Sequence, residues 1–351
     1  MALSLSATLL PHHPRRSTDF SSSSSAPASP QTHGFFSGQP PPTYSALATN
    51  SNNKLPTTCL PKVLSSSSCS SHSKLSHAWR QVHGEYDWAG LLDPMDPLLR
   101  SELIRYGEMA QSCYDAFDYD PFSYYFGGCR FPRRAFLDSL HLTRHGYDVT
   151  RYLYATANIR LPNFFTKSRA NWIGYVAVSD DETSRVLGRR DIAIAWRGTV
   201  TRLEWLADLM NYLKPVDGKK IPSRDPRVKV QSGFVDLYTE KDDSCHFCKY
   251  SAREQVLTEV KRLTEKYDGA GEEVSITITG HSLGSALATL SAYDIAETGL
   301  NLVEGEGSGR PAPICVFSFS GPRVGNVRFK ERLDFLGVKV LSRAVTRPVS
   351  V

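Results

Sequence analysis

The chain has 351 residues, 40 % of them hydrophobic, with a formal net charge of +5, which suits one large soluble domain or two smaller ones. No apolar stretch is long enough to span a bilayer. Before Glu85, six cations (Arg15, Arg16, Lys54, Lys62, Lys74 and Arg80) face Asp19 alone, and this accounts for the entire net charge, so overall basicity is no argument for a nucleic-acid partner.

Up to Gly84 the sequence is rich in Ser and Pro, with uninterrupted serine at 21–25 and 65–68, and such a composition cannot bury a core. An acid-poor, hydroxyl-rich segment of this kind is expected to be a disordered organelle-targeting peptide over residues 1–84, with a retained tail as the alternative. Plastid (chloroplast) is favoured over mitochondrion because hydroxylated residues outnumber Arg and no Arg-rich amphipathic helix is visible. The ordered body is expected over residues 85–351, starting near Trp79 or soon after.

The first helix is predicted to open at Asp96-Pro97, a capping residue followed by proline at the first helical position. Leu98, Leu99, Leu103, Ile104, Met109 and Ala110 recur at helical spacing, and Pro121 ends the run. The stretch from Phe131-Pro132 to Pro162 is aromatic and turn-rich and reads as an N-terminal cover rather than a separate domain. From Trp172 short apolar strands alternate with helices. Strands are predicted at 173–178, 192–196, 274–279, 314–319 and 338–341. Helices are predicted at 285–298 and 327–336, and after the capping box Ser251/Glu254, where Val256, Leu257, Val260 and Leu263 share a face and Gly269 lies beyond the end. This alternation predicts an α/β fold around a mainly parallel sheet.

Seven cysteines at irregular spacing do not form a small disulfide framework. Cys245-His246-Phe247-Cys248 is the one close pair, without the second pair of a zinc ribbon or the strand-to-helix setting of a thioredoxin-like site. It is expected to be a surface-loop pair with no catalytic duty, a redox-sensitive clip or adventitious metal site being the alternative.

Gly280-His281-Ser282-Leu283-Gly284 fits the G-x-S-x-G nucleophile elbow, and it falls between a β-branched strand and the small-residue start of a helix, the context the motif requires. Gly280 and Gly284 are expected to avoid collisions with the neighbouring strand and helix. Ser282 is the candidate nucleophile. Acyl transfer needs backbone donors aimed at the developing oxyanion. The Leu283 amide is one candidate, and Thr199, in Arg197-Gly198-Thr199 after the strand 192–196, is the other. His281 is expected to pack under the turn, and Asp294 and Glu297 to be solvated residues of the helix behind it.

With these motifs the sequence resembles a class 3 lipase, more narrowly a plant phospholipase A1 of the plastid type. The resemblance is carried, in order, by Gly174-Tyr175-Val176-Ala177-Val178, Arg197-Gly198-Thr199, Glu204-Trp205-Leu206-Ala207-Asp208-Leu209, Ser251-Ala252-Arg253-Glu254-Gln255-Val256-Leu257, the elbow, and Gly321-Pro322-Arg323-Val324-Gly325-Asn326. It implies an α/β-hydrolase fold, hydrolysis of the sn-1 ester of phospholipids, galactolipids or triacylglycerols, and no metal or other cofactor. It also implies a lid near 202–210, where Leu203, Trp205, Leu206 and Leu209 would meet a membrane surface or acyl chain. The oligomeric state is left open.

The chain departs from that family after Ser282. A serine hydroxyl needs a base that a carboxylate orients, in the chain order Ser, Asp or Glu, His, yet no histidine follows Ser282. The triad Asp and His are therefore expected to be absent from this chain, and the C-terminal part of the hydrolase domain to be missing. Two functions follow: a lipid acyl hydrolase, or a catalytically inactive lipid-binding or regulatory isoform.

Overall fold

The computed structural model describes residues 68–156, 170–200, 212–216, 218, 220–302 and 311–343, all within one compact unit, Val63–Val351. Residues 1–67, most of the segment expected to be a targeting peptide, the expected lid residues 203–209 and the last eight residues lie outside the described set.

Six strands form the main sheet in the order β1-β2-β3-β6-β7-β8. These are β1 (Tyr147–Thr156), β2 (Ala170–Ser179), β3 (Arg190–Trp196), β6 (Val274–His281), β7 (Ile314–Phe319) and β8 (Lys339–Arg343). β2 runs antiparallel to both of its neighbours, β1 and β3, while β3, β6, β7 and β8 run parallel. Two short strands, β4 (Leu213–Pro215) and β5 (Lys229–Gln231), pair separately. The mainly parallel sheet, helices on both faces and a strand-turn-helix at Ser282 make this an α/β-hydrolase fold.

The central strands are buried on both faces, so their side chains alternate between two cores. Ile192, Ile194 and Trp196 face one cluster, whereas Ala193 and Ala195 face the other. The first core lies under α5 (Ser232–Thr239), α6 (Ala252–Asp268), α7 (Leu283–Glu297) and α8 (Val327–Phe335). Serine 251 caps α6 in a complete capping box with Glu254. Every residue of α7 is buried, which is why its sequence has no polar stripe.

The second core is closed by α1 (Ser68–Val82) and α2 (Pro97–Asp115), with α3 (Phe136–Ser139) and α4 (Asp181–Leu187) beside it. Asp96 caps α2 by accepting from the Leu98 and Leu99 amides. Leu75, Trp79 and Val82 of α1, ahead of the boundary expected at Gly84, are buried in this core. Apolar residues spaced along α1 give the segment a face to bury despite its serines.

The cover is fastened by a dry polar cluster. The carboxylate of Asp191, at the start of β3, accepts from Tyr106 and Tyr147 at 2.9 and 2.7 Å, and from Ser275 and Thr277 at 2.7 and 2.6 Å. Beside it Glu102 of α2 pairs with Arg105 at 2.9 Å and Arg189 at 3.2 Å, and lies 3.0 Å from His83. Burial alone would raise the Glu102 carboxyl, but Arg105, His83 and Arg189 together hold it below its usual range. A buried carboxylate survives only when paired and hydrogen-bonded in this way.

The Cys245/Cys248 pair is buried, not a surface pair. The Cys248 amide donates to the Cys245 carbonyl at 3.1 Å in a tight turn that turns both thiols inward against Ala170. Phe247 covers them by stacking on Tyr154 at 4.8 Å. Burial pushes the Cys248 thiol up to about 12, the opposite of the depressed value of a nucleophile.

Candidate active site

The parallel strands end at one rim of the sheet, and the turn from β6 into α7 stands there. Ser282 occupies that turn with φ 55° and ψ −123°, a conformation that costs a non-glycine residue about 1–3 kcal/mol and persists only where surroundings enforce it. Three constraints enforce it here. The Ser282 amide donates to the Phe319 carbonyl at 2.9 Å, binding the turn to the end of β7. The Ser285 hydroxyl donates to the Gly280 carbonyl at 2.5 Å and accepts from the Phe319 amide at 3.1 Å. The first turn of α7 presses on the end of β3, where a Cβ on Gly284 would sit 2.3 Å from the Trp196 oxygen.

The same crowding brings the loop after β3 to the elbow. Trp196 and Gly280 are partners across the parallel pair, so residues 197–199 leave the sheet beside the turn. A Cβ on Gly198 would lie 2.5 Å from the His281 carbonyl. Thr199 follows, half-buried. The Leu283 amide is in the first turn of α7, where amides have no intrahelical partner and the helix end favours negative charge.

The Arg197 side chain is turned toward Phe117 and the start of β2 and makes no contact with Ser282. Its guanidinium lies 3.7 Å from the centre of the Phe117 ring, and it donates to the Trp172 carbonyl and to Gly198 O, both at 2.9 Å. Burial lowers its pKa to about 10, still a cation at neutral pH. Its part is to fix the loop, not to meet a substrate. The sequence held no signal for a second positioning residue, Tyr114, in the last turn of α2. Its hydroxyl is 2.9 Å from His281 Nδ1 and 3.2 Å from the His281 carbonyl. His281 is thereby half-buried and turned to Tyr114 rather than to Ser282, and burial lowers its pKa.

Two carboxylates expected to be solvated are in fact buried. Asp294 pairs with Arg253 at 2.7 and 2.9 Å and accepts from the Tyr238 hydroxyl at 3.1 Å. Glu297 pairs with Arg332 at 2.8 and 3.1 Å and accepts from the Arg224 amide at 2.7 Å. Both are fully committed to joining α7 to its neighbours. Among the described residues no hydrogen-bond partner meets Ser282 Oγ, and His83 and His145 are engaged with Glu102 and Glu108. No group of His, Cys, Asp and Glu among the described residues is arranged to hold a metal ion.

A family model described as Lipase (class 3) matches residues 193–348. The chain is 66 % identical over 279 residues to Phospholipase A1-Igamma1, chloroplastic, of Arabidopsis thaliana, covering 76 % of this chain and 54 % of that protein. It is 47 % identical over 272 residues to Galactolipase DONGLE, chloroplastic, of the same plant, covering 76 % and 56 %. With Phospholipase A1-II 6 of Oryza sativa subsp. japonica it shares 45 % identity over 278 residues, covering 75 % and 67 %. The chain thus spans about half the length of the first two relatives.

Proposed function

We propose, because this chain belongs to the class 3 lipase family, that it hydrolyses the sn-1 acyl ester of phospholipids, galactolipids or triacylglycerols. The observation that carries this is the backbone of Ser282, held at φ 55° between β6 and α7. In that position the hydroxyl attacks the ester carbonyl. The oxygen that becomes negative is stabilised by the Leu283 and Thr199 amides, an effect worth on the order of 3–4 kcal/mol for a single donor. Gly280 and Gly284 keep the turn tight, and Leu203, Trp205, Leu206 and Leu209 serve as the lid over the acyl chain. The relatives named chloroplastic support a plastid location, with residues ahead of the packed body as the targeting peptide.

A base must take the Ser282 proton, and without one turnover falls on the order of 10⁴ to 10⁶-fold. A second reading, an inactive lipid-binding isoform, is favoured by one observation: no described side chain hydrogen-bonds Ser282 Oγ. A fluorophosphonate probe and fatty-acid release from phosphatidylcholine, run on the full chain and on Ser282→Ala, separate the two. Labelling and release that vanish together in Ser282→Ala support the hydrolase. Absence of both supports the inactive isoform, and release that persists unchanged in Ser282→Ala defeats the assignment of Ser282.

A further inference from the structure

The segment joining α2 to β1 carries a patch of aromatic surface that the chemistry above does not use. Phe122 and Tyr124 are 95 % and 94 % exposed, with Tyr119 and Tyr125 more than half exposed beside them. Isolated surface aromatics are ordinary, but a contiguous group of them is not.

The loop does not owe this exposure to looseness. The Asp118 carboxylate accepts from the Asp120 amide at 3.0 Å and from the Ser123 hydroxyl. Asp120 in turn accepts from the Phe122 amide at 3.0 Å. The ends are clasped by Gly127 N to Asp118 O at 2.8 Å and Asp118 N to Gly128 O at 3.0 Å. The fixed backbone keeps the rings outward.

Its place is also fixed. The Trp172 amide donates to Gly127 O at 2.8 Å, and Trp172 comes two residues before Gly174, the partner of Trp196 at the end of β3. Phe117, at the root of the loop, underlies Arg197, and Tyr114 just before it touches His281. The aromatic tip therefore projects from the rim of the sheet that bears Ser282.

We infer that residues 119–125 form a docking loop that inserts Phe122 and Tyr124 into an electrically neutral lipid–water interface and so presents the Ser282 rim to it. Aromatic rings favour that boundary, being apolar bodies with, in tyrosine, a polar edge. Between Tyr119 and Gly128 the single charge is Asp120, itself engaged. The tip 120–125 thus carries no cation for an anionic headgroup, while Arg130 at the foot of the loop lies over the Tyr119 ring, and uncharged or zwitterionic lipid is the matching surface.

The inference rests on the lipid-hydrolase reading, so its test scores binding without turnover. Full chain, Ser282→Ala, Phe122→Ser/Tyr124→Ser and the control Phe335→Ser, at an exposed aromatic on α8, are sedimented with phosphatidylcholine vesicles. Circular dichroism checks each fold. The double variant is expected to bind about tenfold or more weakly, with the parent, Ser282→Ala and Phe335→Ser alike and insensitive to salt. Equal binding by the double variant overturns the inference, as does binding that requires anionic lipid. A concentration-dependent dimer of the parent that the double variant lacks also overturns it, in favour of a protein partner. Binding through the loop without ester release would defeat only the hydrolase reading, and ester release without loop-dependent binding only the docking loop.

Discussion

The Tyr114 hydroxyl lies 2.9 Å from His281 Nδ1 and 3.2 Å from the His281 carbonyl, so the last turn of α2 grips the residue that precedes the nucleophile position. Tyr114→Phe deletes that grip and leaves both groups without their partner. It is expected to lower unfolding free energy by about 1–2 kcal/mol and to slow fluorophosphonate labelling of Ser282. Urea unfolding and labelling rates measure the two effects. An unchanged midpoint with unchanged labelling would mean the contact is idle.

The Arg253–Asp294 pair joins α6 to α7 with its carboxylate fully buried. Asp294→Ala leaves the half-buried Arg253 guanidinium and the buried Tyr238 hydroxyl without their acceptor and is expected to cost about 2 kcal/mol. Asp294→Asn keeps an acceptor for Arg253 and Tyr238 and should cost less. A loss below about 0.5 kcal/mol, the range of surface ion pairs, would return Asp294 to the solvated role its sequence suggested.

Acid should destabilise the protein in two steps. His83, His145 and His281 are all held below the usual histidine value of 6.5 by burial, with Arg189 adding to the effect at His83. The unfolded chain therefore takes up protons before the folded one, and stability is lost as pH falls below about 6.5. Glu102 has a depressed carboxyl, so its contribution is present above the unfolded value of 4.5 and is lost below it. Urea midpoints measured from pH 8 downward should decline first near pH 6.5 and again below pH 4.5, and Glu102→Gln should remove part of the second decline. A midpoint that rises between pH 7.5 and 5.5 would contradict the burial of these histidines.

Local chemistry was legible in the sequence wherever a residue's role is settled by its neighbours. The capping box at Ser251/Glu254, the cap at Asp96 and the strand Ile314–Phe319 stand where their patterns put them. The elbow's context, strand then small-residue helix, is likewise local. Roles assigned by distant partners were not legible. Asp294 and Glu297 looked solvated because Arg253 and Arg332 are 41 and 35 residues away. Cys245 and Cys248 looked exposed because the turn that buries them closes against Ala170. Tyr114 is one aromatic among many until α2 is docked, 167 residues from His281 in sequence.

The four donors around Asp191 arrive from α2, β1 and β6, and this bears on how the chain can assemble. A sheet that formed without α2 would leave the Asp191 carboxylate at the base of β3 short of the Tyr106 donor. Half-built intermediates of that kind are penalised, so sheet and N-terminal helices must close in a single cooperative event. The N-terminal helices are in this sense an organ of the hydrolase body, and a cut between them and the sheet would remove a condition for folding rather than a dispensable appendage.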